Sequence, residues 1–316
     1  MKSPNSASDP MPYRHIPVMR AEVLEFLDCR PGKTYVDGTV GGAGHARAIL
    51  ERTAPDGVLI GLDQDADAIA HAKTTLGPFA NRVRLVHANF AQLPEVLSEL
   101  NVPGADGILL DLGVSLHHFE GSGRGFSFQQ DEPLDMRMDV RTERTAADIV
   151  AGSSEDELRT LFREYGEERF AGRIARRIAA ARRTAPIQTS AVLARIVAGA
   201  VPGRSRGRIH PATRVFMALR IAVNRELERL EEVMGRLPEL LLPGGRVCVL
   251  TFHSLEDRIV KQRLKALEVP RREAAAPADG GRCLRILTRK VVRPSAEETA
   301  ANPMARSTKL RAAERI

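Results

Sequence analysis

Between residues 34 and 111 the apolar positions fall in short unbroken runs, and the longer stretches separating them carry apolar residues near helical spacing. The runs are TYVD at 34–37, VLIGLD at 58–63, VRLVH at 83–87 and GILLD at 107–111. They are too short for helices and too continuous for strands with one wet face, so they predict strands buried on both faces. The periodic stretches at 16–27, 44–52, 66–76 and 91–100 predict the covering helices. Strict alternation of β and α predicts a parallel sheet with its ligand at the carboxyl ends of the strands. Asp37, Asp63 and Asp111 each close a run, and Asn89 and Phe90 follow another, which puts all five on that rim.

Beyond residue 111 the pattern changes. Residues 112–135 are loop-like and rich in Gly and Phe, and helical spacing then dominates at 154–165, 167–183, 190–199 and 211–236. The next strong strand pattern is RVCVLTF at 246–252. Residues 127–209 therefore read as an all-helical insertion, dividing the main α/β domain into 1–126 and 210–316. A helix after HSLEDR, an Ala/Pro-rich loop at 274–281 and a hairpin of CLRILT with KVV are expected to finish a mostly parallel sheet with one antiparallel edge strand.

The turn after the first strand reads DGTVGGAGH, with Gly38, Gly41, Gly42 and Gly44 between a strand end and a helix start. Glycine there allows positive φ and close approach of backbone to a ligand. Asp63 ends the second strand at the distance where an acid accepts both hydroxyls of a ribose, although an Asp in that place can also cap the next helix. Asp37 is suited either to brace the glycine loop through backbone amides or to meet the ligand. The dinucleotide pattern GxGxxG fails, because from Gly42 the chain reads GAGHAR, with Arg47 in place of the third glycine. A nicotinamide oxidoreductase is thereby disfavoured. A nucleoside without a pyrophosphate fits better, and S-adenosylmethionine is the commonest such ligand on this architecture; a glycine-rich turn in an unrelated α/β domain is the plain alternative.

Composition narrows the setting. With 43% hydrophobic and 28% charged residues, the 316-residue chain is ordinary for a soluble globular protein. It has no apolar run of membrane-spanning length and no signal-peptide pattern, so a cytoplasmic protein is expected. Cys29, Cys248 and Cys283 lie far apart, which points to a reducing compartment and away from a structural zinc. The eight His show no ligand spacing, and no metal site is expected. The net charge of +7 is concentrated: from Ala171 to Arg225 there are twelve Arg and no acid, and residues 271–316 carry eleven basic against five acidic side chains. Nucleic acid is the partner such a distribution suits. At 4% aromatic residues and no Trp, stacking on bases would fall to a few Phe or Tyr or to Arg planes.

Several separate strings, in order, resemble the bacterial 16S ribosomal RNA (cytosine-N4)-methyltransferase family: HIPVM at 15–19, DGTVGGAGH at 37–45, DGILLDLGVS at 106–115, RGFSF at 124–128, PLDMRMD at 133–139, YGEERFA at 165–171, HPATRVFMALRI at 210–221 and FHSLEDRIVK at 252–261. The resemblance implies a Rossmann-like class I methyltransferase sheet with an inserted helical substrate-recognition domain. It implies S-adenosyl-L-methionine as donor and a decoding-centre cytosine of 16S rRNA, in the small ribosomal subunit, as acceptor. No membrane partner is implied, and a homodimer is compatible with it. Carried over motif by motif, the cofactor contacts are Ala43, Gly44, His45, Asp63, Phe90, Asp111 and His118. Asp111 is also the candidate catalytic acceptor for the cytosine amino group, with backbone carbonyls from Leu112 to Ser115 beside it. Arg173, Arg176, Arg177, His210 and Arg214 are the candidate substrate contacts. The chain departs from the family pattern at Ala43, which replaces a loop glycine, and at Ser115, Leu116, His117 and His118, where Ser-Ser-Pro-Gln is usual. A competing reading is an RNA-binding ribosome-assembly factor that keeps the fold without turnover.

Overall fold

The computed structural model describes residues 17–203, 210–268 and 283–316; the loop expected at 274–281 lies outside them. The chain divides into two compact units. A sheet unit takes the described part of Ile16–Gly113 together with Arg137–Glu143 and Ile221–Ile316, and a helical unit takes Val114–Met136 and Arg144–Arg220.

In the sheet unit, α1 (Arg20–Leu27) precedes β1 (Thr34–Asp37), α2 (Gly44–Arg52), β2 (Val58–Asp63), α3 (Ala66–Thr75), β3 (Val83–His87), α4 (Leu93–Glu99) and β4 (Ala105–Asp111). The apolar runs form strands as expected because alternate residues feed two cores. Ile108 and Leu110 enter one and Leu109 the other, while on β5 (Leu241–Thr251) Val247 and Val249 oppose Cys248 and Leu250. Both faces of the sheet are thus dry, as parallel sheets require. The strand order is β3-β2-β1-β4-β5-β7-β6, and the carboxyl ends of β1, β2, β3, β4 and β5 lie on one rim.

Four sequence expectations change in detail. The first helix begins at Arg20 rather than residue 16, after Met19 in a left-handed conformation. The helix expected over 211–236 is two, α10 (Ala212–Asn224) and α11 (Glu226–Leu240), broken at Arg225 with φ 50°. Strand five starts at Leu241, five residues early, with a register shift opposite Ala105 and Gly107. The hairpin of CLRILT with KVV does not form. Instead β6 (Leu284–Ile286) pairs with the final strand β7 (Lys309–Arg315), which runs antiparallel to both β5 and β6, and Val292 makes only a bridge to Leu310. Between β5 and β6 comes α12 (Ser254–Leu267), and between β6 and β7 the short α13 (Ala296–Ala301).

The helical unit holds α5 (Leu116–Glu120), α6 (Ala146–Gly152), α7 (Glu155–Glu164), α8 (Ala171–Ala181), α9 (Ser190–Ala200) and α10 as far as Arg220. Its starts are written in the sequence: Thr145 with Asp148 and Ser154 with Glu157 form capping boxes, and Thr189 caps α9. The helix expected at 167–183 begins only at Ala171, since Glu167 takes positive φ. Ile174, Ala175 and Ile178 of α8 are buried, and its packing against α7 and α9 leaves the arginines between them on the outside.

Candidate functional site

The glycine turn is tied to three strand ends. Gly38 N–H donates to Leu109 O, Val40 N–H to Leu62 O, and Thr39 links the acids by donating its amide to Asp37 Oδ1 and accepting the Asp111 amide on Oγ1 at 2.7 Å. A Cβ on Gly38 would lie 2.6 Å from Leu110 Cδ2 and 3.2 Å from Phe90 Cβ, so glycine is required for the turn to pass between β4 and Phe90. Ala43 is buried at the start of α2 with φ 62°, a conformation that costs an L-residue about 1–2 kcal/mol and that a glycine would hold without strain. Gly44 follows it with Pro17 Cδ 2.9 Å from where its Cβ would be.

Asp63 Oδ2 accepts the Gly41 amide at 2.8 Å, and Oδ1 accepts the Asp65 amide at 2.9 Å. The acid read as a ribose ligand therefore also braces the glycine loop, a job it shares with Asp37, whose Oδ1 accepts the Thr39 amide as the sequence offered. The two roles are compatible because an ionised carboxylate accepts about four hydrogen bonds. The cap of α3 is Asp65, whose side chain accepts the Asp67 amide. Phe90 is buried in a short 3-10 turn capped by Asn89.

Asp37, Asp111 and His45 form a buried group on this rim. His45 Nε2 stands 3.6 Å from Asp111 Oδ2, too far for a hydrogen bond. Asp37 Oδ2 and Asp111 Oδ1 are buried and accept no hydrogen bond within the described residues. Buried oxygens of this kind are costly unless a donor or cation meets them. Burial pushes the Asp37 carboxyl up to about 7, the Asp63 charge adding to it and the Thr39 amide opposing. Burial also raises Asp111 well above the carboxylate range, with Asp37 and Glu256 adding to the rise. A ligand bearing an ammonium, a sulfonium and a ribose fits this set: two buried acid oxygens for the cations and Asp63 for the hydroxyls.

The raised Asp37 carboxyl carries a pH prediction. Its proton is held in the folded state up to about pH 7 but only to 3.8 in the unfolded chain, so its contribution to stability is fully present below the lower value and is lost as pH rises through the upper one. The ligand-free protein is expected to melt at progressively lower temperature from about pH 4 to about pH 7, and Asp37→Asn should flatten that fall. Thermal melts of both proteins across the series check this, and parallel pH profiles would remove Asp37 as the source.

Sequence reasoning missed several contributors. Gln64 Oε1 accepts from Asn89 Nδ2 at 2.9 Å and from Arg229 Nη1 at 2.7 Å, its Nε2 meets Met138 Sδ at 2.9 Å, and its carbonyl lies 3.0 Å from His87 Nε2. This fixes the peptide after Asp63 to the one before Phe90, through partners too far off in sequence for any local pattern. Glu256, only 2% exposed, was legible as part of HSLED: its Oε2 accepts the Phe252 and His253 amides and caps α12. Glu226, His253 and Glu256 bring one potential donor atom each within 4.8 Å of one another, a grouping that no ligand spacing in the sequence marks. The His253 Nε2 to Glu256 Oε1 contact of 3.1 Å belongs to the cap of α12, and no metal chemistry is assigned to it.

His118 belongs to the helical unit. It is buried, its Nδ1 lies 3.1 Å from the Ser115 amide and 3.0 Å from Ser115 Oγ, and its ring is tilted on Phe126 at 4.9 Å. It is the N3 residue of the capping box at the start of α5, a position where Glu or Gln is usual and where imidazole here takes the same duty. Arg173, Arg176 and Arg177 are exposed on the outer face of α8, with Arg176 lightly paired to Glu155 at 3.4 Å. His210 is exposed and stacked on Phe128 at 4.5 Å, and Arg214 donates to Glu167 O at 3.1 Å.

Comparison with known proteins follows the same direction. The model of the MraW methylase family matches residues 12–316. The chain is 54% identical to the ribosomal RNA small subunit methyltransferase H of Desulfosudis oleivorans, covering 97% of this chain and all of that one. It is 51% identical to the protein of the same name from Geobacter sulfurreducens, again over 97% of this chain and 100% of the other. Among solved structures, Aeropyrum pernix fibrillarin in complex with S-adenosyl-L-methionine aligns at 14% identity and a TM-score of 0.39, over 93% of this chain and 73% of that one. With the family matched across nearly its whole length, the chain belongs to the MraW methylase family.

Proposed function

We propose that the protein transfers a methyl group from S-adenosylmethionine to the exocyclic N4 of a decoding-centre cytosine in small-subunit ribosomal RNA. The observation carrying this reading is the likeness, over 97% of the chain, to a ribosomal RNA small subunit methyltransferase. The rim of buried carboxylates supports it.

When bound, S-adenosylmethionine supplies a sulfonium methyl whose bond breaks with its electron pair left on a neutral thioether. The chain's part is alignment, electrostatics and one proton. Asp63 and the glycine loop would hold the ribose, Phe90 would lie against the adenine, and Asp37 would balance a cation. The cytosine amino nitrogen is a weak nucleophile, since its lone pair is delocalised into the ring. Asp111 accepts a hydrogen bond from that amino group, stabilises the positive charge that grows on nitrogen as the new C–N bond forms, and receives the proton then released. Its raised affinity for a proton makes it a stronger acceptor than an exposed aspartate. The target base must be unstacked to reach such a rim.

Incubating the protein with unmethylated small subunits and labelled cofactor, then mapping modified nucleosides by mass spectrometry, tests the reading. N4-methylcytidine at one position is expected. Binding of subunits with no methylation of any nucleoside would favour the assembly-factor reading instead.

The helical unit, Val114–Met136 with Arg144–Arg220, is the proposed substrate-recognition domain, and it overlaps without matching the insertion read at 127–209 from the sequence. The exposed arginines on α8 support this role. Replacing Arg173, Arg176 and Arg177 together by Ala is expected to weaken RNA binding and flatten its salt dependence by about two in the log–log slope, with cofactor affinity unchanged. Filter binding over a salt series measures it, and an unaltered slope would reduce this face to solvated surface.

A further inference from the structure

At the β6 edge of the sheet unit, α12, β6 and β7 enclose an open cleft of about 210 Å³. Its floor is apolar: Leu264 is buried and Ile286 packs against the main core. Its rim is cationic. Lys261 and Lys265 stand one turn apart on α12, and Arg289 faces the same space from the chain after β6. All three are exposed, and none forms an ion pair among the described residues. Arg311 also lines the cleft but is committed, with Lys309, to Asp257 at 2.7 and 2.9 Å. Among the described residues, Glu268 is the only acid on the lining.

Like charges one helical turn apart oppose helix formation, and a third cation beside them adds to the repulsion. Among the described residues, no ion pair to these three side chains relieves it. An anion is the complementary occupant, and a lining that holds no aromatic side chain among the described residues offers contacts to sugar and phosphate rather than to bases.

We propose that this cleft seats the phosphodiester backbone of the rRNA substrate, as a docking site built from different residues than the methyl-donor rim. It rests on the reading of rRNA as substrate. Backbone contacts position an RNA without reading its sequence, so the cleft contributes affinity and register while the choice of cytosine is made elsewhere.

The test uses the full chain with Lys261→Ala, Lys265→Ala and Arg289→Ala combined. These side chains are exposed and mutually repulsive, so the melting temperature should equal or exceed that of the wild type, and S-adenosylmethionine affinity should match it. Binding to protein-free small-subunit rRNA should weaken about tenfold near 0.1 M salt, and the slope of log affinity against log salt should fall by about two, as expected for three lost phosphate contacts. Exchanging each residue for the other basic type (Lys261→Arg, Lys265→Arg, Arg289→Lys) should restore the slope. An unchanged slope on protein-free rRNA overturns the proposal. So does a loss seen only with intact subunits, which would assign the cleft to a ribosomal protein. Wild-type protein that does not bind protein-free rRNA overturns the docking site alone, whereas wild-type protein that methylates no intact small subunits overturns the substrate reading and the docking site with it.

Discussion

Asp111→Asn is expected to lower the single-turnover rate of methylation about a hundredfold or more at saturating S-adenosylmethionine, the scale typical of removing one aligned electrostatic contact. The reason is differential. In the ground state the cytosine amino group is neutral and its hydrogen bond to Asp111 is modest. As the methyl group arrives the nitrogen gains charge, and a carboxylate in a dry site stabilises that charge far more than an amide can. The substituted amide would keep the size and one acceptor oxygen but neither the charge nor the capacity to take a proton. Cofactor and RNA binding should change less than the rate. The competing view makes Asp111 a cofactor contact alone, with its buried Oδ1 meeting the methionine ammonium. In that case saturating cofactor restores turnover, and full recovery would end the catalytic assignment.

How far this arrangement was legible depends on the range of the forces that make it. β1, β2, β3 and β4 could be read because burial on both faces leaves continuous apolar runs, and the acids that close them mark the rim directly. Gly38 was legible as part of a glycine cluster, and the reason, a Cβ 2.6 Å from Leu110 Cδ2, is local to the turn and its neighbouring strand. β7 was missed because Lys309 and Arg311 look like solvent-facing charges, whereas in the fold Asp257 neutralises both. The break at Arg225 was missed because nothing in an arginine announces a left-handed residue. The Gln64 and Arg229 contact joins residues 165 apart, and the nearness of Glu256 to Asp111 joins strand ends that only the sheet brings together. Asp63 lies between these cases: its place on the rim was readable, its brace on Gly41 was not.

That double duty shapes the second large effect. Asp63→Ala should weaken S-adenosylmethionine binding by about 1.5–3 kcal/mol, roughly ten- to hundredfold, through loss of a charge-assisted acceptor for the ribose hydroxyls. The same substitution also releases the Gly41 and Asp65 amides, so a bare loss of affinity could come from a loosened loop as well as from a missing contact. The ribose contact has its own signature. In the wild type, a cofactor analogue lacking the 2′-hydroxyl should bind more weakly than S-adenosylmethionine. In the variant that difference should shrink toward zero, because the removed partner no longer distinguishes the two ligands. Calorimetric titration of both ligands into both proteins closes the cycle. Equal discrimination before and after the substitution would leave Asp63 as a brace for the glycine loop and place the ribose contact on another residue.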